Sequence, residues 1–294
     1  MNGLKEDDSL QAFIFELDES DNWDDKTTWI KANPNLDITV TTDFIQSEIT
    51  KAKNTSSLEV SVRTKNLNQW LSSSEIWIAD IHIINATQKL KIEDFAGFNC
   101  YVGVDLSAVS DLTAVSFLID MDDKYYFFNK YYIPESALSD NSNSELYKRW
   151  QRMGLLTITE GNVTDYDYIT ADLMRINQIV TINSIAYDTW NSTQWAIDAT
   201  SKGLPLQPFS QALGNFNRAT KEFERLILSN KIAIDDNEIT RYCFRNVSLK
   251  FDHNDNCKPV KSVRQNKIDG VIGMLEALGI MLQEPQYNNE IFSL

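Results

Sequence analysis

A chain of 294 residues that is 43% apolar and 11% aromatic can bury a sizeable core, in one large domain or one domain with an appendage, which excludes wholesale disorder. No apolar run approaches 18 residues and the N-terminus lacks signal-peptide form; three cysteines (Cys100, Cys243, Cys257) without CxxC spacing suit a reducing cytosol and exclude a disulfide frame or zinc site. The net charge of −15 excludes a basic footprint spread over the whole chain, such as nucleic-acid proteins usually carry.

Residues 1–95 read as mainly helical and acidic. Ser9 to Asp18 has the alternation of a strand, Pro34 closes whatever precedes it, Thr42 or Asp43 caps a helix over 42–49, and a second helix spans Ser57 to Trp70. From Phe98 the pattern becomes α/β. Strands at Cys100–Leu106, Thr113–Asp120 and Lys124–Ile133 form a meander turning on Asp122 and Asp123. A helix at Ser144–Met153, a strand at Leu155–Thr159, a helix at Tyr166–Val180 and a strand at Ser184–Tyr187 follow. Ser192–Lys202 is a helix closed by Gly203, and Leu204–Phe209 runs toward another edge. Helices at Thr220–Leu228 and Asn237–Phe244 precede a hairpin, Ser248–Asp252 and Cys257–Lys261. Ile268–Leu282 is a last, continuously apolar helix, and the tail after Pro285 reads as loose. This order predicts a mixed five-stranded sheet with helices on both faces.

Three aspartates stand where such a fold gathers ligands. Asp105 ends the first meander strand, Asp188 ends the strand at 184–187, and Asp269 opens the last helix. Hard divalent ions prefer carboxylate oxygens, and two ions 3.5–4 Å apart suit phosphodiester cleavage. Each aspartate also has a structural reading: Asp105 caps the 107–111 turn, Asp188 caps the next helix, Asp269 is an N-terminal helix charge. Asp111 is either a fourth ligand or a turn residue. Other chemistries lack their residues. His82 and His253 are the only histidines and sit in no metal or triad pattern, and GxSxG, GxGxxG and GxxxxGK[ST] are absent. A basic strip of seven Lys/Arg at 241–267 precedes Asp269, and is either a phosphate-binding surface or a solvated hairpin face.

Taken together, Trp29-Ile30-Lys31-Ala32-Asn33-Pro34-Asn35-Leu36, Leu67-Asn68-Gln69-Trp70, Gly103-Val104-Asp105-Leu106-Ser107, Asp111-Leu112-Thr113-Ala114, Tyr187-Asp188-Thr189-Trp190-Asn191 and Lys267-Ile268-Asp269-Gly270 resemble, in order, the large terminase subunit of tailed double-stranded DNA bacteriophages. The resemblance covers about residues 10–283. It implies an RNase H-like endonuclease domain over 96–294, preceded by the end of an ATPase domain and linker over 1–95. Asp105, Asp188 and Asp269 match the family's metal-binding catalytic acids, with Asp111 a frequent acidic neighbour. Two Mg²⁺ or Mn²⁺ ions, cleavage of concatemeric viral DNA in the cytoplasm of the bacterial host, and no membrane are the expectations. The implied partners are double-stranded DNA, the small terminase subunit, the portal protein and any separately encoded ATPase portion. The phosphate-binding loop and Walker B acids are missing, so the chain is expected to be a fragment or split-gene product without ATPase activity of its own. Lys258, Lys261, Arg264 and Lys267 are the expected phosphate contacts beside Asp269. The alternatives are another RNase H-like nuclease, resolvase- or transposase-related, and a non-catalytic docking module of the packaging motor.

Overall fold

The computed structural model describes residues 13–18, 21–53, 56–69, 77–107, 111–139, 143–189, 192–262 and 266–283. The chain divides into two compact units, Met1–Glu75 and Ile76–Leu294. In the first, helices α1 (Trp29–Ala32), α2 (Thr42–Ala52) and α3 (Ser56–Lys65) enclose a small core of Leu17, Trp29, Ile45, Ile49, Val62 and Leu67. The α2 cap is Thr41, whose hydroxyl accepts from the Phe44 amide at 3.2 Å; Thr42 instead donates to Asp37. The helix expected to reach Trp70 ends at Lys65. Asn68 follows with φ 53°, and its side-chain amide donates to the Phe15 and Ala32 carbonyls. Residues 13–18 of the expected first strand have no regular structure. Phe13, Ile14 and Phe15 are exposed there, and the Asn68 side chain, not a strand, takes the Phe15 carbonyl.

The second unit begins with α4 (Asp80–Ala86) and β1 (Thr87–Gln88), continues through the meander β2 (Asn99–Asp105), β3 (Thr113–Met121) and β4 (Lys124–Pro134), and then α5 (Ser144–Arg152) and β5 (Leu156–Thr159). Next come α6 (Tyr166–Ile176), β6 (Thr181–Tyr187), α7 (Thr193–Ser201), β7 (Leu206–Pro208), α8 (Leu213–Leu228), β8 (Ile232–Asp235) and α9 (Glu238–Arg245). The hairpin β9 (Val247–Phe251) and β10 (Cys257–Lys261) is a separate two-stranded sheet, and α10 (Asp269–Gln283) closes the described chain. Residues 77–86 pack with this unit: Trp77 lies among Phe223 and Phe244, and Asp80 is clamped by Arg241 and Arg245. The packing boundary thus falls ahead of the change in composition at 95–96.

Among the described residues the sheet has eight strands, ordered β1-β8-β4-β3-β2-β6-β7, with β5 pairing one end of β4. The three strands beyond the expected five, β1, β7 and β8, are two to four residues long, too short to show a two-residue period. β2 and β3 are antiparallel, and β2 and β6 are parallel with Val104 opposite Tyr187. The pleat then sorts side chains between two cores. Cys100, Val102, Val104, Val115, Phe117, Ile119 and Ile185 face α6 and α7. Ala114, Leu118 and Ala186 face the core that holds α8, α9 and α10.

On that second face Gly103 does what no other residue type could. A Cβ there would fall 2.0 Å from the Gly273 carbonyl and 2.6 Å from the Ala277 amide. α10 therefore lies with its backbone against β2. Gly270 likewise admits the Tyr131 hydroxyl, and Gly273 the Ser116 hydroxyl. Ser116 continues a polar path: its Oγ donates to Asn129 Oδ1 at 2.6 Å, and Asn129 Nδ2 donates to Asp235 Oδ1 at 3.2 Å. Burial pushes the Asp235 carboxyl up to about 7, against the hydrogen bonds from Asn129.

Gly103→Ala should lose about 1–3 kcal/mol in urea unfolding, because the added methyl meets helix backbone rather than a side chain that can move. Gly214→Ala in α8, where a Cβ has open space, should be neutral or gain up to about 1 kcal/mol. The raised Asp235 pKa favours the neutral acid in the folded state. Its contribution is present below the unfolded carboxylate's pKa and is lost as pH rises through about 7. Wild type should therefore lose stability relative to Asp235→Asn between pH 4 and 8, by at most a few times the ~1.4 kcal/mol that one pKa unit represents.

Candidate active site

The same pleat decides which side chains share the α10 face. Asp105 has the parity of Gly103 on β2, and Asp188, one residue past β6, has the parity of Ala186. Because Val104 pairs with Tyr187 in parallel register, Asp105 and Asp188 are the next pair at the same end of adjacent strands. α10 starts at Asp269 above this end. Seven residues on, two helical turns along the same stripe, it presents Glu276. Gln211, between β7 and α8, joins two of these groups: its Nε2 donates to Asp105 Oδ1 at 3.3 Å and to Glu276 Oε1 at 3.1 Å.

The structural readings of the three aspartates can now be weighed. Thr113 closes the turn after Asp105, its Oγ1 accepting from the Ser107 amide at 3.0 Å and donating to the Ser107 carbonyl at 3.2 Å. The N-cap of α7 is Ser192, whose hydroxyl donates to the main-chain carbonyl of Asp188. Asp269 is buried, and its Oδ2 has no hydrogen-bond partner among the described residues, so it caps nothing with that oxygen. Burial, reinforced by the charge of Asp111, pushes its pKa up to about 7, opposite to the effect of a helix N-terminus on a carboxylate. Asp105 is raised well above the ordinary carboxylate range by burial and then by Asp269. Glu276, fully buried, is raised by burial and then by Asp105, and it also feels the charge of Asp188.

Asp111 differs in kind. Lys261 Nζ donates to its Oδ2 at 3.1 Å, and Lys267 pairs with its Oδ1. Although burial opposes it, the hydrogen bond from Lys267 and the charge of Lys261 hold Asp111 below the ordinary range. The charges of Asp269, Asp111 and Asp105, in turn, hold the Lys261 ammonium above its own range against the cost of burial. Asp111 thus anchors two lysines at the edge of the acidic group.

Of the expected phosphate contacts, Lys267 is buried against Asp111, Lys261 is partly exposed, and Lys258 stands on β10 opposite Lys250 of β9. Arg264 lies outside the described residues. Arg241 and Arg245 are committed to Asp80, which the hydrogen bond from Arg241 and the pull of Arg245 bring down to about 2 despite desolvation. The basic strip is therefore mostly paired inside the fold. Sequence reasoning missed Glu276 and Gln211. Glu276 was visible as the single charge between Asp269 and Gln283 in an otherwise apolar helix; Gln211 carries no signal of its own.

The donor set is all oxygen, which selects hard cations over zinc or copper. Two buried carboxylate oxygens, Asp269 Oδ2 and Glu276 Oε2, lack hydrogen-bond partners among the described residues, and buried carboxylates normally acquire a partner or a metal. The residues therefore fit divalent cations of the Mg²⁺ type. Among the described residues no three His, Cys, Asp or Glu side chains already converge as a metal-holding group.

With this geometry established, the comparisons with known proteins are informative. Residues 5–284 match the family described as terminase large subunit, endonuclease domain. Protein YmfN of Escherichia coli (strain K12) is 30% identical over 301 residues, covering 97% of this chain and 66% of that protein. The large subunit of the terminase of Enterobacteria phage HK97 is 28% identical over 285 residues, covering 93% of this chain and 55% of that one. The crystal structure of the HK97 large terminase superposes with a TM-score of 0.63 at 27% identity, over 90% of this chain and 56% of that chain. This chain spans about half to two thirds of the length of these relatives. A mixed sheet of RNase H-like type, flanked by helices and bearing the acidic face described above, and a family match along nearly the whole chain, lead to one assignment: the chain belongs to the terminase large-subunit endonuclease-domain family.

Proposed function

We propose that this chain is the cutting part of a phage DNA-packaging terminase, a divalent-metal-dependent endonuclease acting on concatemeric viral DNA in the host cytoplasm. The proposal is supported by the parallel register that puts Asp105 and Asp188 at the same end of adjacent strands, and by the helix that Asp269 opens packing on that strand pair. These three would hold the cations, two Mg²⁺ or Mn²⁺ ions, which supply an activated water and charge neutralisation at the departing oxygen. The chain's own groups do the rest. The α10 backbone against Gly103 fixes Asp269 relative to Asp105. Lys267 keeps Asp111 ionised from within the protein, which leaves the more exposed Lys261 able to turn from Asp111 to a phosphate at the rim.

The partners follow from the same reading: double-stranded DNA, the small terminase subunit, the portal protein and the ATPase portion of the motor. Residues 1–95 are proposed, from the resemblance and the greater length of the relatives, as the end of the ATPase region and its linker; the endonuclease-domain match from residue 5 does not itself mark that boundary. Among the described residues no helix is long and apolar enough to cross a membrane.

Plasmid nicking in Mn²⁺ tests the activity. Asp105→Ala, Asp188→Ala and Asp269→Ala should each lose at least about 100-fold while keeping the wild-type circular dichroism. Equal rates in all four proteins would sink the three-aspartate site. A wild-type chain that never nicks, yet binds a packaging partner, would be a docking module instead.

DNA affinity is expected to rest on few cations, since most of the basic strip is paired internally. Lys258→Glu combined with Lys250→Glu should weaken DNA binding and reduce the slope of log K against log salt by about 1 to 2. Lys267→Ala should instead lower the melting temperature, because it uncovers Asp111. A salt slope unchanged by the double variant would remove the hairpin lysines from the interface.

A further inference from the structure

Resting on the cation-dependent reading above, the strongest unexplained group is Glu276. It is fully buried at the centre of an otherwise apolar helix. One carboxylate oxygen, Oε2, has no hydrogen-bond partner among the described residues. The other, Oε1, shares the Gln211 amide with Asp105 Oδ1, at 3.1 and 3.3 Å. Keeping a carboxylate in such a place is strongly unfavourable unless something compensates it, and Ala or Leu would satisfy the packing of this helix without that penalty. Its neighbours are also acidic, since the charges of Asp105 and Asp188 both act on it. Lys261 and Lys267 are engaged with Asp111.

We infer that Glu276 is a fourth carboxylate of the cation site, and that Gln211 is a positioning residue whose amide spans Asp105 and Glu276 until a divalent cation takes over that bridging role. The chemistry matches: one amide nitrogen donating to two carboxylates satisfies the pair as a shared hard cation would, but it neutralises neither charge. Glu276 and Asp105 would together hold the cation, and its charge would compensate both their mutual repulsion and the unpartnered Oε2; the Gln211 amide would then no longer be needed between them. The arrangement also accounts for a buried acid seven residues beyond Asp269: that spacing returns the α10 stripe to the same sheet face, beside the end of β2.

The test is calorimetric titration of Mn²⁺ alone, without DNA, into the full chain, with thermal unfolding followed in parallel. Glu276→Gln should keep its fold, lower Mn²⁺ affinity about tenfold or more, and melt with a smaller Mn²⁺-induced rise than wild type. Gln211→Ala should bind Mn²⁺ as tightly as wild type or more tightly, since no amide has to be displaced. If Glu276→Gln does not fold, Glu276→Asp, which withdraws the carboxylate by one methylene, should show a several-fold loss. Wild-type affinity in a folded Glu276 variant overturns the role of Glu276. Loss of Mn²⁺ binding in Gln211→Ala overturns the exchange, because Gln211 would then itself hold the ion. Absence of Mn²⁺ binding by wild type overturns this inference together with the reading on which it rests, whereas binding that is lost in Asp105→Asn, Asp188→Asn and Asp269→Asn but kept in Glu276→Gln overturns this inference only.

Discussion

The backbone contact between β2 and α10 is the constraint on which the acidic face depends. A helix packed on a sheet through ordinary side chains stands off by the length of those side chains. Here Gly103 meets Gly273 and Ala277 directly. That approach lets Asp269 and Glu276 reach the end of β2 while the helix still buries Val271, Met274, Leu275, Leu278 and Ile280 on its other sides. Each such side chain contributes about 1.5–3 kcal/mol when fully buried. The apolar faces of α10 thus offset the cost of two acids on its remaining stripe. A glycine-lined stripe and an acidic stripe on one buried helix are two consequences of a single geometry.

The charges then arrange themselves in two tiers. Burial raises Asp105, Asp269 and Glu276; the charge of Asp269 adds to the rise of Asp105, that of Asp105 to Glu276, and that of Asp111 to Asp269. Asp111, a short distance off, is driven the other way by two lysines. Such a division separates acids that wait for a counter-charge from one that already has it. It also gives the acid left undecided by the sequence a structural role: both carboxylate oxygens of Asp111 are engaged by lysines, which fixes Lys261 and Lys267 at the edge of the acidic group.

The fold was legible where period and length were strong. The meander β2–β3–β4, the hairpin β9–β10 and the continuously apolar α10 all stand close to where alternation and apolar content put them. β1 and β8 were not legible, because hydrogen-bonding neighbours define them and their own pattern does not; β5 was read at Leu155–Thr159, and β7 lies within the stretch read as running toward an edge. The N-terminal segment misled for the converse reason: Phe13, Ile14 and Phe15 have strand propensity, yet the described backbone there has no regular structure. For the acidic face, strand ends and a helix start pointed to Asp105, Asp188 and Asp269 individually. Their shared face depends on the parallel register of β2 with β6, and Gln211 enters only through tertiary placement after β7.

The net charge of −15 takes on a different meaning in this light. The sequence carries a basic strip of seven residues ahead of Asp269, read as either a phosphate-binding surface or a solvated hairpin face. Within the fold, Arg241 and Arg245 hold α4 to α9 through Asp80, and Lys261 and Lys267 hold Asp111. Those four cations stabilise the protein, so they cannot all serve a phosphate backbone at the same time. An acidic surface with few uncommitted cations attracts DNA weakly over distance and repels it wherever the carboxylates are not neutralised. Cations bound among those carboxylates would reduce that repulsion at the one place where a phosphodiester has to approach. Under the proposed function, metal loading and DNA access would be coupled by electrostatics.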